Sequence, residues 1–394
     1  MRVAVALLLV VVLSPSLASL AEPAPPVAAP PPADKLCPKC KTTGRLENPI
    51  DPKIAEMEAK VLRCSWVVSK DKKGRGLPFV PCGRCLAPSK AAEVQAEFDP
   101  LAAEIDAWME ANDGISKTLR PRKPFLFLET THFDLVFGLP KVKLGKRKTL
   151  DMHAAAHLYA ERLESLYAWF QETLDYDDEL ARVTKHQVFL LPDLRTLMTA
   201  AMEYAQTPTD RAGRAVGDPS VFVTWRDKAV FKSDASFHQH VSHHMIHQFL
   251  GVYFLKIWLV EKAGWLEEGL ANYAEMTHFE RAGNSCNTED SEEDMADENW
   301  ESPTRKLVER KRQIPFAELK NKRADQLGRN DHLQAWSIVD WMMRTKPENL
   351  PLLIRDLKQD VPLRTTFKKH YGHSIVGFDL VWQEWVKENY SLEP

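Results

Sequence analysis

The chain has 394 residues, too many for one small domain, and its length points to one large domain or two unequal ones. Apolar residues make up 44% and tryptophan occurs 11 times, enough for a sizeable core, which excludes disorder as the default state. A net charge of −3 excludes an electrostatic case for nucleic acid or an anionic membrane as the main partner.

Residues 1–21 carry one cation, Arg2, then an apolar run over 3–13 and small residues at Ser19 and Ala21. The run is shorter than the roughly 20 residues of a membrane helix. It predicts a secretory signal peptide cut near Ala21, with an uncut membrane anchor as the alternative. No cysteine follows the cut to carry a lipid, and no later segment is apolar enough to span a bilayer. The mature chain is thus expected in the periplasm or outside the cell. Residues 22–33 are a stiff Pro/Ala linker with nothing to bury.

A cysteine-rich module is expected over 34–90. Cys37 and Cys40 form one C-x-x-C pair and Cys82 and Cys85 another, with Cys64 between them and Cys286 far downstream. Two such pairs can turn four thiolates toward one structural zinc. This resembles zinc ribbons and the cysteine-rich modules of chaperones. The 41 intervening residues exceed the usual spacing of about 15–20. Export supports a competing reading, in which six cysteines form disulfides, but paired C-x-x-C turns are a poor disulfide framework and zinc is the expectation.

Apolar residues at helical spacing (Val94, Phe98, Leu101, Ile105, Trp108) predict a connecting helix within 91–120. Residues 125–137 are aromatic and β-branched and predict a strand or a bent pair. A long helix follows over 151–174, then a strand at 186–191, a short helix up to Gln206 and a strand at 221–225. Beyond Tyr273 a loop is expected, with eight acidic residues in 289–301, then a basic helix-like stretch over 305–312. Such runs are ordinarily solvated surface. Amphipathic helices are predicted around 334–343 and 378–386. Strands before a helical half give an α+β domain over 121–390.

Five of the 13 histidines fall within residues 238–247. Two histidines at i and i+4 share a helix face and can reach one ion. His240 with His244 is one such frame and His243 with His247 another. The apolar neighbours Met245, Ile246, Phe249 and Leu250 favour the second. Glu268 follows His247 by 21 positions, which suits two helices joined by a turn, and Gly264 is a plausible end for the first helix.

The segment His243-His244-Met245-Ile246-His247-Gln248 resembles the H-E-x-x-H-Q helix of gluzincin metallopeptidases. Trp265-Leu266-Glu267-Glu268-Gly269-Leu270-Ala271-Asn272-Tyr273 resembles their second signature, W-L-x-E-G. A looser likeness over about residues 124–390 is similar to bacterial peptidase-like domains of the MA clan. The resemblance implies a zincin-like fold with a mixed sheet and a helical half, and a Zn2+ ion held by His243, His247 and Glu268. It also implies Asn272 as a hydrogen-bond partner of a ligand imidazole and a peptide or protein as substrate or ligand. The family's general base takes a proton from a zinc-activated water, and His244 stands at its position here. Histidine can carry protons near neutral pH; as an extra ligand it would instead close the open coordination position. Glu267 or Glu275 are alternative bases, although helix direction argues against Glu267. His332 is a candidate oxyanion stabiliser by position. Three expectations follow: a zinc-binding domain with weak or lost peptidase activity, a working peptidase using His244 or another base, or a metal-handling protein in which His238, His240 and His244 add to the site.

Overall fold

The computed structural model describes residues 39–41, 43, 45–47, 56–71, 77, 79–82, 88–175, 185–209, 213–216, 220–253, 263–283 and 299–392. The expected signal peptide and linker lie outside the described residues, as do Cys37, Cys85, Cys286 and residues 289–298. The chain forms two compact units, residues 1–46 with 81–95 and residues 47–80 with 96–394. The cysteine-rich segment is therefore divided, and its middle part belongs to the large unit. In the small unit Cys40 and Cys82 are buried in one cluster with Leu46 against it. The turn after Cys40 closes with the Thr43 amide donating to the Cys40 carbonyl at 2.8 Å.

In chain order the elements are β1 (Arg45–Glu47), β2 (Arg63–Cys64), α1 (Ser65–Lys70), β3 (Phe79–Pro81), α2 (Pro88–Leu119), β4 (Leu126–Glu129), β5 (Phe133–Phe137), β6 (Lys141–Leu144), β7 (Lys148–Asp151) and α3 (Met152–Leu174). Then come β8 (His186–Leu191), α4 (Leu194–Tyr204), β9 (Gly213–Val216), β10 (Val221–Trp225), α5 (Asp234–Tyr253) and α6 (Gly264–Phe279). The chain closes with α7 (Glu301–Glu309), α8 (Phe316–Leu319), a 3-10 turn (Ala324–Gln326), α9 (Arg329–Thr345), α10 (Asn349–Lys358), α11 (Leu363–Tyr371) and α12 (Ile375–Asn389). Among the described residues no helix is long and apolar enough to cross a membrane.

The large unit is α+β. Its six-stranded sheet runs β2-β4-β5-β8-β10-β9. The centre is parallel, β5 with β8 and β8 with β10, while β2, β4 and β9 pair antiparallel. A parallel pair needs a crossover; α3 supplies one between β5 and β8, and α4 one between β8 and β10. The aromatic run at 125–137 is a bent pair, β4 and β5, in register from Leu126↔Phe137 to Glu129↔Asp134.

Alternation with period two gives the sheet two apolar faces. Leu126, Leu128, Phe133, Leu135, Phe137, Val188, Leu190 and Phe222 join the core with α3, α5, α6 and the C-terminal helices. Phe125, Phe127, Val136, Phe189, Leu191, Val221 and Val223 face the other way, onto Leu197, Ala200 and Ala201 of α4 and Leu119 of α2. That second contact explains why α2 runs on to Leu119: Ile115 and Leu119 still have an apolar surface to cover. The helical face of the sheet is the one that carries the candidate site.

Candidate metal centre

Helix α5 is anchored at both ends. Asp234, in its first turn, accepts from Tyr159 Oη and Arg162 Nη2 of α3, each at 2.8 Å. A carboxylate there also complements the positive end of the helix dipole. Near the other end the Gln248 side-chain amide donates to Ser220 Oγ at 2.6 Å, and Ser220 Oγ lies 2.5 Å from His186 Nδ1 on β8. The helix is thus held at a fixed rotation, and that rotation decides which histidines turn away from the sheet.

His243 and His247 turn toward α6. Their Nε2 atoms lie 3.2 Å apart. Glu268 Oε2 lies 3.5 Å from His243 Nε2, and Oε1 lies 3.5 Å from His247 Nε2. These three residues form a group whose ligand atoms lie within 4.8 Å of one another. Donor atoms held about 2.0–2.1 Å from one tetrahedral ion are themselves about 3.3–3.4 Å apart. The observed separations match that spacing, and the two carboxylate contacts are long for hydrogen bonds. Neither oxygen of the fully buried Glu268 has a hydrogen-bond partner among the described residues. A buried carboxylate without hydrogen bonds is costly unless a cation compensates it. The residues present therefore fit a metal ion.

Two glycines fix the position of Glu268. A Cβ on Gly264 would sit 2.4 Å from the Ala324 amide nitrogen, and one on Gly269 would sit 2.8 Å from the Ala335 carbonyl oxygen of α9. Gly264 therefore opens α6 instead of ending the preceding helix. Its absent side chain lets the start of α6 touch the 3-10 turn. Gly269, the glycine of the W-L-x-E-G likeness, lets α6 lie directly on α9.

Electrostatics agree with the ligand role. Burial, reinforced by His243 and His332, pushes the His247 imidazole down to about 4, which keeps it neutral as a metal ligand must be. Burial alone would raise Glu268, but His247, His243 and His332 outweigh it and hold this carboxyl well below the usual range. Glu267, one residue earlier, is pushed up to about 8 by burial and by the Glu268 charge.

Glu275, two turns after Glu268, stands behind the site. Its Oε1 lies 2.6 Å from His243 Nδ1. Its Oε2 accepts from Gln239 Nε2 at 2.6 Å and from the Gly283 amide at 2.8 Å. This carboxylate–imidazole pairing is the usual orienting contact of a metal-bound histidine. It places Glu275 on the far edge of the imidazole, away from Nε2, and so not where a general base would stand. Asn272 does not take that orienting position: its Nδ2 lies 3.3 Å from His332 Nδ1. His332, from α9, in turn lies 3.6 Å from Glu268 Oε2 and is 2% exposed.

The remaining cluster histidines face elsewhere. His244 stacks on Phe222 of β10, with ring centroids 5.6 Å apart and planes at 22°. Its ring is 5.5 Å from that of His243 and 6.4 Å from that of His247. His240 packs edge-on to His244 at 4.4 Å and reaches Thr224 Oγ1 at 3.3 Å. His238 sits against Phe279 and Tyr159. None of the three belongs to the converging ligand group. The sequence offers Glu275 as an alternative base and misses its orienting place; the i+7 spacing from Glu268, which puts both on one helix face, is the signal for it.

No protein-family model matches the chain, and no curated protein is significantly similar to it.

Proposed function

We propose that this chain is an exported, zinc-binding gluzincin-like domain whose peptidase activity is weak or lost. One observation carries the reading: His243, His247 and the orphaned carboxylate of Glu268 converge with metal-ligand spacing, while the neighbouring base position holds His244, stacked on Phe222. Two nitrogens and one oxygen suit zinc with an open fourth position. The sheet-helix-helix order around the two signatures supports a zincin-like architecture. Bound there, zinc supplies Lewis acidity and lowers the pKa of water to about 7.

The chain's own residues would then do the following. His243, His247 and Glu268 hold the ion, and Glu275 fixes the His243 ring with Nε2 directed at it. His244 presents a bulky ring packed against the sheet where the family's chemistry uses a carboxylate. Loss of a positioned general base costs about 10²–10⁴-fold in rate. A peptide or protein segment is the ligand such a domain would retain. The burial of Cys40 and Cys82 in one cluster is consistent with a second zinc in the cysteine module, shared with Cys37 and Cys85.

The test has two arms. Zinc content of the purified chain should fall by about one equivalent in His243→Ala and in Glu268→Ala; full retention by both variants would remove the site. His244→Glu should then gain chelator-sensitive cleavage of a peptide library that the parent lacks. If the parent already cleaves as well as this variant, the domain is a working peptidase and the proposal is wrong.

A further inference from the structure

A second group of metal-type donors lies on the large unit and shares no residue with the α5–α6 site. Glu58, Cys64, His153 and His157 each offer one ligand atom, and these atoms lie within 4.8 Å of one another. His153 and His157 stand one turn apart on α3, Cys64 is the last residue of β2, and Glu58 lies in a helical turn at 56–58. We propose that these four side chains form a closed, structural zinc site that clasps the sheet edge at β2 onto α3.

The four donors are already gathered. Glu58 Oε1 lies 2.9 Å from His153 Nε2 and 3.1 Å from His157 Nε2, hydrogen-bond separations that open by a few tenths of an ångström when an ion takes the place of the shared protons. The two rings are 4.8 Å apart and nearly perpendicular, at 83°, so they approach that oxygen from different planes. Cys64 is 2% exposed, His157 8% exposed, and Trp66 stacks on His153 at 4.3 Å to cover its outer side. A buried cysteine ordinarily behaves as a small hydrophobe. Here it sits beside a carboxylate and two imidazoles.

The donor set selects the ion. Two imidazoles, a thiolate and a carboxylate are all common zinc ligands. Magnesium and calcium call for oxygen donors, which the thiolate and the two imidazoles are not. Four protein ligands leave no position for water or substrate, so the site is structural. Burial raises the Glu58 carboxyl, but His153 and His157 outweigh it and hold it down at about 2, so it remains an anionic donor. Burial and the Glu58 charge push the Cys64 thiol up to about 12, and coordination would release its proton to solvent.

The location gives the ion something to do. Strand β2 has two residues and pairs with β4 only at Arg63↔Glu129 and Cys64↔Leu128. So short an edge strand has little backbone bonding of its own, and a metal bridge to α3 fixes it. This assignment is independent of the function proposed for the α5–α6 site.

The full chain loaded with cadmium-113 tests it, because each thiolate ligand moves the cadmium NMR resonance downfield. A one-sulfur site is thereby separated from the sulfur-rich cysteine pairs and from the sulfur-free site on α5 and α6. The expected result is a one-sulfur resonance that disappears in Cys64→Ser and in His153→Ala/His157→Ala and persists in Glu268→Ala. Zinc content should fall by about one equivalent in the double-histidine variant. Absence of a one-sulfur resonance from the cadmium-loaded parent overturns the proposal even if the variants fail to fold. Persistence of that resonance in both cluster variants does the same.

Discussion

Replacing Glu275 by glutamine is the most searching test of the way the α5–α6 site is built. The carboxylate meets three groups, with Oε1 at His243 Nδ1 and Oε2 accepting from Gln239 Nε2 and the Gly283 amide. Gln239 cannot turn its amide over to help. Its own oxygen accepts from Arg281 Nε at 2.9 Å and its nitrogen also donates to the Arg281 carbonyl at 3.1 Å. Glutamine therefore has one acceptor oxygen for two sides that both need one. If the oxygen faces Gln239 and Gly283, the new NH2 faces His243 and favours the tautomer that carries its proton on Nε2, the metal-facing atom. If the oxygen faces His243, the NH2 meets two donors in a fully buried place. The first arrangement weakens metal binding by about 10–100-fold, the usual effect of losing an orienting partner; this equals about 1.4–2.7 kcal/mol. The second leaves buried donors unsatisfied at about 1–3 kcal/mol each. Competition against a chelator of known affinity measures the first, and denaturant unfolding of the metal-free chain measures the second. A Glu275→Gln chain that matches the parent in both would show that Glu275 does not orient His243.

Two further outcomes follow from the packing and from the buried histidines. Gly269→Ala drives a methyl group to 2.8 Å from the Ala335 carbonyl and should separate α6 from α9. We expect a loss of about 1–3 kcal/mol, typical of overpacking, read as a lower urea midpoint together with weaker zinc retention; an unchanged midpoint would mean the two helices do not approach this closely. His238 is held down at about 3 by burial and by the Arg162 cation, with His278 adding to this and Asp234 opposing it. Its folded value lies below the ordinary 6.5, so the unfolded chain takes up the proton first. The stability that depends on neutral His238 is therefore complete above 6.5 and drains away as the pH falls toward 3, by at most about 1.4 kcal/mol per pH unit. His238→Gln should flatten the acid limb of a stability–pH curve, and an identical limb in parent and variant would contradict this assignment.

Segments whose apolar pattern answers to one partner were legible from the sequence. Strands β8 and β10 lie at the predicted 186–191 and 221–225, because both are apolar runs buried on two faces. The long helix α3 begins at Met152 with Asp151 as its N-cap, within a residue of the predicted start. The converging residues His243, His247 and Glu268 could be nominated because each lies within a short local motif. Hairpin β6–β7 could not be seen: Lys141, Lys143, Lys146, Arg147 and Lys148 hide its alternation, and only Val142 is fully buried. Gly264 was misleading because a glycine that ends a helix and one that starts a close contact look alike in sequence. The same limit applies to Glu58, Cys64, His153 and His157, which come from three separate segments joined only by folding. His153 and His157 did show the i, i+4 spacing, but nothing local indicated that a thiol and a carboxylate would join them.

The burial of His243, His247 and Glu268, at 0%, 3% and 0% exposure, has a kinetic consequence. None of the three can swing into solvent to pass an ion out, and α6 is held on its far side by α9. An ion bound there would have to leave through its open coordination position while all three side chains stay fixed, so exchange would be slow. Occupancy would record which ion was present as the chain folded more than which ions surround it later. A chain that folds in one compartment and resides in another would carry its first ion along.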